Sequence, residues 1–174
     1  PPIPLHASTQ TDNRTVEKVR FLQDVGFTQV VLARELTLKE IQQIASETDV
    51  ALEAFVHGAL CVSYSGQCYL SAALSGRSAN RGECAQYCRL PYTMVDANGK
   101  VIASQKHLLS LRDMNRSDDL EAMMDAGISS FKIEGRLKDV TYVKNVTAWY
   151  RNKLDEILAR RPEYVRASVG ESRY

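Results

Sequence analysis

The chain carries four cysteines, Cys61, Cys68, Cys84 and Cys88, all within one short stretch. Their spacing is Cys61-x6-Cys68-x15-Cys84-x3-Cys88. Four soft thiolates so close in sequence can close a tetrahedral site around zinc or hold an iron-sulfur cluster. Zinc knuckles usually pair their ligands as C-x2-4-C, and only the second pair here fits that rule. A larger cluster tolerates the wider first gap. Charge adds a second argument, because four thiolates around a 4Fe-4S core leave a negative site that needs hydrogen-bond donors and nearby cations. Between Gly58 and Tyr92 the cations are Arg77, Arg81 and Arg89, against one acid, Glu83. Clustering of this kind, in a chain that otherwise reads as cytoplasmic, favours metal over disulfides. Spacing and charge alone leave open iron-sulfur, zinc, disulfides or free thiols, and a metal that only staples the segment without reacting.

A second set of candidates comes from strand ends. In βα architectures the reactive groups sit at the C-terminal ends of the strands. That rule selects His6, Ser8 and Gln10 after the first strand, Arg34 and Glu35 after the second, Glu53 and His57 on the third, and Lys132, Glu134 and Arg136 on the last. Glu35, Glu134 and His57 are the candidate proton carriers, and Arg34 and Arg136 can anchor a carboxylate. The plainer alternative is that these acids and bases form salt bridges across the rim. His57 could also support a Cys-His nucleophile with Cys61, unless that thiolate is already a metal ligand. His107 reads as polar rim. No G-x-x-x-x-G-K-[ST], G-x-G-x-x-G, H-E-x-x-H or G-x-S-x-G occurs, which argues against nucleotide hydrolysis, dinucleotide oxidoreduction, zincin proteolysis and α/β-hydrolase chemistry.

The elements that must position these residues follow a repeating order. Leu5 to Ser8 is a short strand, and Asn13 or Thr15 caps a helix bearing Val16, Val19, Leu22 and Val25. Gly26 stops it. Phe27 to Leu32 is a buried strand, Thr37-Leu38-Lys39-Glu40 is a capping box, and Ala51 to Val56 is a third strand. Periodicity then disappears from Gly58 to about Ser104, ending in a β-hairpin signal at Asn98-Gly99. Beyond it, Leu108-Leu109 is a possible short strand, Ser117 caps a helix with Leu120, Met123 and Met124, and Ser130 to Ile133 is a strand. A long amphipathic helix runs from about Tyr142 towards Pro162, its Tyr and Trp residues packing in the core. Asp24-Val25-Gly26 and Asp125-Ala126-Gly127 repeat one device, a helix-stopping glycine just before a buried strand. The reading is α/β, about four βα units: the C-terminal half of a TIM-like (β/α)8 barrel with a cysteine-bearing insertion and hairpin. Its divisions are βα units over 1–56, the insertion over 57–104, further units over 105–162 and a tail over 163–174.

Composition is that of a folded protein, with 44% hydrophobic and 25% charged residues among 174. No apolar run approaches a membrane span, so no membrane partner is expected. A net charge of +1 gives no global pull on a polyanion, so such a partner would need a local patch. The start at Pro1-Pro2-Ile3-Pro4 reads as an internal boundary of a longer protein.

The stretch Glu53 to Ser71, EAFVHGALCVSYSGQCYLS, closely resembles the collagenase-like peptidase family, peptidase family U32. Gly76 to Tyr92, GRSANRGECAQYCRLPY, extends the resemblance, as do Phe131 to Arg136 and Ser8-Thr9-Gln10. Although the family was first labelled proteolytic, several members are oxygen-independent hydroxylation proteins for transfer RNA, ribosomal RNA or ubiquinone precursors. The second stretch looks most like the branch that hydroxylates ribosomal-RNA cytidine. The resemblance implies a 4Fe-4S cluster on Cys61, Cys68, Cys84 and Cys88, prephenate as co-substrate, and ribosomal or transfer RNA as partner, with Arg77, Arg81 and Arg89 near phosphates. It also implies an N-terminal half-barrel absent from this chain. Without that half, exposed strand edges should drive self-association and leave the piece inactive.

Overall fold

A computed structural model describes residues 3–166, so most of the expected tail lies outside the described residues. The chain runs β1 (His6–Ala7), α1 (Val16–Asp24), β2 (Gln29–Val31), α2 (Leu38–Glu47), β3 (Ala51–Gly58), α3 (Leu70–Ser75), β4 (Tyr92–Val95), β5 (Val101–Lys106), β6 (Met114–Asn115), α4 (Leu120–Asp125), β7 (Ser130–Ile133) and α5 (Val140–Arg160). Short 3-10 turns occur at Thr9–Thr11, Ala79–Arg81 and Tyr87–Arg89. Strands β1, β2, β3 and β7 lie side by side in that order, all parallel, in a mixed α/β fold. Among the described residues no helix is long and apolar enough to cross a membrane.

Side-chain alternation assigns the two faces of the sheet. Val30, Leu52, Ala54 and Val56 join one core with Val19 and Leu22 of α1, Ile41 and Ile44 of α2, Leu120 and Met123 of α4, and Tyr150 and Ile157 of α5. The alternate positions mix apolar Val31 and Phe55 with polar Gln29, Glu53, Ser130 and Lys132. Glu53, only 6% exposed, accepts hydrogen bonds from Gln29 Nε2 at 2.7 Å and Ser130 Oγ at 2.8 Å, and pairs with Lys132 Nζ at 3.1 Å. A buried carboxylate is tolerable only when so partnered. Glu53 and Lys132, selected above as rim candidates, therefore lock β2, β3 and β7 together.

Local chemistry explains the helix ends. Thr15, not Asn13, caps α1, accepting from Lys18 N. Asn13 is wholly buried instead, its amide donating to Ser8 O and Val31 O. The Thr37–Glu40 capping box of α2 is complete in both directions. Ser117 does not cap α4; that helix starts after Asp119 with no side-chain cap bond. Val25 is exposed because α1 ends one residue earlier. Leu108-Leu109 forms a turn rather than a strand, and the strand is β6, which pairs antiparallel with His57 and Gly58.

One buried hydroxyl ties α5 to the end of β3. Tyr150 Oη donates to Val56 O at 2.7 Å, accepts from Arg116 N at 3.2 Å, and lies 3.3 Å from His57 Nδ1. Sequence pattern read Tyr150 as packing alone; its aromatic body does pack, while its polar tip satisfies backbone groups where β6 ends. His57 also faces the Tyr142 ring at 6.0 Å between centroids. Burial holds the His57 pKa below its ordinary 6.5, with Asp113 opposing and Lys138 reinforcing.

Two predictions follow from this packing. Gly26 and Gly127 both hold φ near +100°, but a Cβ on Gly127 would stand 2.5 Å from the Ala45 Cβ, while one on Gly26 would meet nothing. Both alanine variants incur roughly 1–2 kcal/mol for the left-handed backbone. Gly127→Ala adds overpacking of about 1–3 kcal/mol, so thermal unfolding should place it clearly below Gly26→Ala. Because the folded chain holds His57 neutral, the unfolded chain takes up that proton first as pH falls. This contribution is complete above the ordinary value and is lost as pH drops from there through the lower folded value. Denaturant titrations between about pH 7 and 5 should show a smaller loss of stability in His57→Gln than in the unaltered protein.

Candidate functional site

The four cysteines converge from three loops. Cys61 and Cys68 flank the turn between β3 and α3, Cys84 follows the second 3-10 turn, and Cys88 lies in the third. All four line one cavity of about 70 Å³ at the C-terminal end of the parallel strands. No disulfide joins them; Cys61 is exposed and the others are half-buried. Burial pushes the Cys88 thiol above its ordinary value; Arg89 opposes this, and the nearness of Cys61, Cys84 and Cys68 adds to it. Among the described residues, no group of three or more Cys, His, Asp or Glu side chains is arranged to hold a metal ion as it stands.

Close backbone approaches fix these loops. Gly58, at φ +105°, lets the chain leave β3 against Glu134, whose carbonyl oxygen would stand 2.2 Å from an added Cβ. Gly66, at φ +72°, passes the Gln10 carbonyl, which would lie 2.6 Å from a Cβ there. Any side chain at either point would push the cysteine loop off the sheet. Gln67 Nε2 donates to Asp12 at 3.1 Å, and the buried Ser71 hydroxyl accepts from Ala85 N at 3.0 Å. The Arg89 guanidinium donates to Leu60 O, and His107 Nδ1 lies 2.9 Å from Arg89 O. Arg89, expected near phosphates, is thus turned inward to hold the loop. Arg77 and Arg81 are exposed, as a phosphate contact requires.

A second cavity, of about 330 Å³, adjoins the first and shares Arg34, Cys61, Tyr64 and Ser65 with it. Glu35 also lines it, its Oε1 accepting from Ser65 N at 2.6 Å and its Oε2 from Ser65 Oγ at 3.1 Å. The Arg34 guanidinium lies 3.8 Å from the centre of the Phe55 ring, and its buried Nε has no hydrogen-bond partner. Desolvation lowers the Arg34 pKa, with Cys61, Glu134 and Glu35 opposing.

The structure thus brings together the four cysteines, Arg34 and Glu35. Gln10 lines the cysteine cavity too, whereas His6 and Ser8 do not. It does not bring His57, Glu134 or Arg136 into either cavity. His57 is engaged by Tyr150, and Glu134 Oε1 accepts from Arg136 N at 2.6 Å. The anticipated rim salt bridges of Arg34 with Glu35 and of Glu134 with Arg136 are not formed among the described residues. Tyr64 and Ser65 were missed by sequence reasoning, since the signal that sets them beside Glu35 is only the tight turn at Gly66.

Comparison with known proteins agrees with the resemblance. A model described as peptidase family U32 matches residues 1–172. The chain is 60% identical over 174 residues to the 23S rRNA 5-hydroxycytidine C2501 synthase of Escherichia coli K12, covering all of this chain and 27% of that protein. It is 34% identical over 171 residues to tRNA hydroxylation protein P1 of Bacillus subtilis 168, covering 95% of this chain and 40% of the relative. A collagenase of Porphyromonas gingivalis W83 is 36% identical over 166 residues, with 88% and 40% covered. The chain therefore spans between 27% and 40% of the length of these curated relatives. No solved structure matches it. With a family model matching nearly its whole length and these relatives alongside, the chain belongs to peptidase family U32.

Proposed function

We propose that this chain is part of an RNA-modifying enzyme that hydroxylates a ribosomal-RNA pyrimidine, of the 5-hydroxycytidine type, in the cytoplasm. The observation that carries this reading is the shared wall between a cavity lined by four cysteines and a second one bearing Arg34 and Glu35. The names of the relatives that act on ribosomal and transfer RNA support it.

The donor set fits an iron-sulfur cluster. The four cysteines face one space, and Arg34 adds a cation to its wall, which suits a site of net negative charge. Zinc, the alternative, would need the sulfurs drawn to about 2.3 Å from a single ion. A larger cluster spans a wider sulfur frame. Cys61, Cys68, Cys84 and Cys88 would hold it, and when bound it supplies one-electron redox chemistry. The chain's own residues do the rest. Phe55 seats the Arg34 guanidinium over its ring, Ser65 fixes the Glu35 carboxylate, and Arg89 secures the loop that carries Cys61. Prephenate as co-substrate would need a cation to take its carboxylates; Arg34, which lines the cavity, and the exposed Arg136 outside it are the candidates. Arg77 and Arg81 are the phosphate contacts.

The same reading includes the half-barrel. Four parallel strands lie in chain order, with α1, α2, α4 and α5 on one face, and the outer edges of β1 and β7 have no strand partner among the described residues. Further strands of a longer chain would close such a sheet, and a second copy is the alternative cover. Proteolysis is disfavoured because it needs an activated nucleophile or a catalytic metal with an open position; the candidate nucleophiles are the cysteines already assigned as ligands, and the His57 ring is turned to Tyr150.

Mass spectrometry of ribosomal and transfer RNA from cells lacking the full-length gene tests the proposal. Hydroxylated pyrimidine should disappear, return with the unaltered gene, and stay absent with Cys84→Ala. An unchanged level in the deletion strain would overturn it, and peptide cleavage surviving Cys84→Ala would point to proteolysis by other residues.

A further inference from the structure

The cavity of about 330 Å³ beside Cys61 surrounds one space with a fixed cation, a fixed anion and a flat aromatic wall. Its size falls in the range of small-ligand sites. Arg34 lies over the Phe55 ring and lines the cavity, and no acceptor among the described residues takes its Nε, so its charge is left for a ligand. Glu35 is held through both oxygens by Ser65, yet a carboxylate offers about four lone-pair sites and keeps acceptor capacity for a ligand. Tyr64 is 60% exposed, and the Arg14 guanidinium lies 5.3 Å from its ring centre. Such a ring offers a face for stacking.

This combination discriminates between ligand classes. A free anion gains from Arg34 but is repelled by Glu35, and a cation meets the reverse. A neutral planar ring with acceptors at one part of its edge and a donor beside them satisfies both side chains. Cytosine has that edge, with O2 and N3 as acceptors and the N4 amine as donor. Uracil reverses two of the three, presenting N3–H to the arginine and O4 to the carboxylate.

We propose that this cavity receives the target pyrimidine base, unstacked from its RNA, and selects cytosine over uracil. Glu35 accepts from the exocyclic amine, Arg34 donates to the ring acceptors, and Tyr64 stacks on the base. Enzymes that modify a base take it out of the stack in this manner and read its pairing edge. The proposal deepens the RNA-hydroxylation reading and rests on it for the identity of the ligand.

The test is equilibrium binding, by fluorescence anisotropy, of the full-length protein to two single-stranded RNA oligonucleotides. Each is an adenosine run with one central cytidine or one central uridine. The unaltered protein should bind the cytidine probe on the order of tenfold more tightly, the scale of one good base-edge contact. Glu35→Gln keeps an acceptor for Ser65 but adds a donor that suits O4, so it should collapse the difference while leaving binding measurable. Arg34→Met should weaken the cytidine probe more than the uridine probe. Tyr64→Ala should weaken both several-fold, and Tyr64→Phe should restore them. A protein that does not distinguish the probes, or a Glu35→Gln variant that still does, overturns the proposal. The two readings separate cleanly. Loss of hydroxycytidine on gene deletion together with unchanged selectivity in Glu35→Gln removes the base pocket alone. Glu35-dependent selectivity without any change in RNA hydroxylation removes the activity alone.

Discussion

Strand β3 is hydrogen-bonded on both sides, and the loop that carries Cys61 and Cys68 leaves from its C-terminal end. A central strand cannot leave backbone groups unpaired as it exits the sheet. Here the exit is satisfied by several unrelated partners at once. Arg116 N and the Tyr150 hydroxyl both donate to Val56 O, and Glu134 N donates to His57 O. Gly58 then carries the chain past Glu134 with no room for a side chain. Three residues later stands Cys61. The position of the first cysteine is thus set by how the sheet ends, and α5 and β6 are anchored by the same set of bonds.

Charge follows from this arrangement. An ordinary rim would neutralise Arg34 with Glu35 and Glu134 with Arg136, since exposed pairs of this kind form readily though they add little stability. Here each carboxylate is satisfied by a backbone N–H, and Glu35 by a hydroxyl as well. Arg34 is left over an aromatic face with its Nε unpartnered among the described residues. Partly desolvated donors next to four thiols make a pocket set up for a ligand rather than one that has closed on itself.

Much of this was legible in the sequence wherever a local rule governs. The glycines after Asp24 and Asp125 signalled helix ends and hold nearly identical φ values, and the Thr37–Glu40 box formed as read. Parallel order followed from strand–helix alternation. Features set by tertiary context were not legible. Leu108-Leu109 looked like a strand because it is an apolar doublet, but β6 forms at Met114-Asn115, where the end of β3 needs partners. Glu53 and Lys132 read as rim chemistry, although side-chain alternation turns both toward neighbouring strands, where they bond one another. For Arg89, charge was visible and direction was not. The cysteine spacing pointed to a common site, whereas the turn that sets Tyr64 and Ser65 beside Glu35 depends on Gly66 meeting Gln10, a contact between segments far apart in sequence.

The central claim is that the four cysteines act as one ligand set. Iron and acid-labile sulfide analysis of the full-length protein, prepared without oxygen, tests this most directly when repeated on the Cys61→Ser, Cys68→Ser, Cys84→Ser and Cys88→Ser variants. The account predicts iron and sulfide in equal amounts in the unaltered protein and a marked loss of both in each of the four variants. Stoichiometric zinc without labile sulfide, or full iron and sulfide retained after substitution of any of the four, would contradict it.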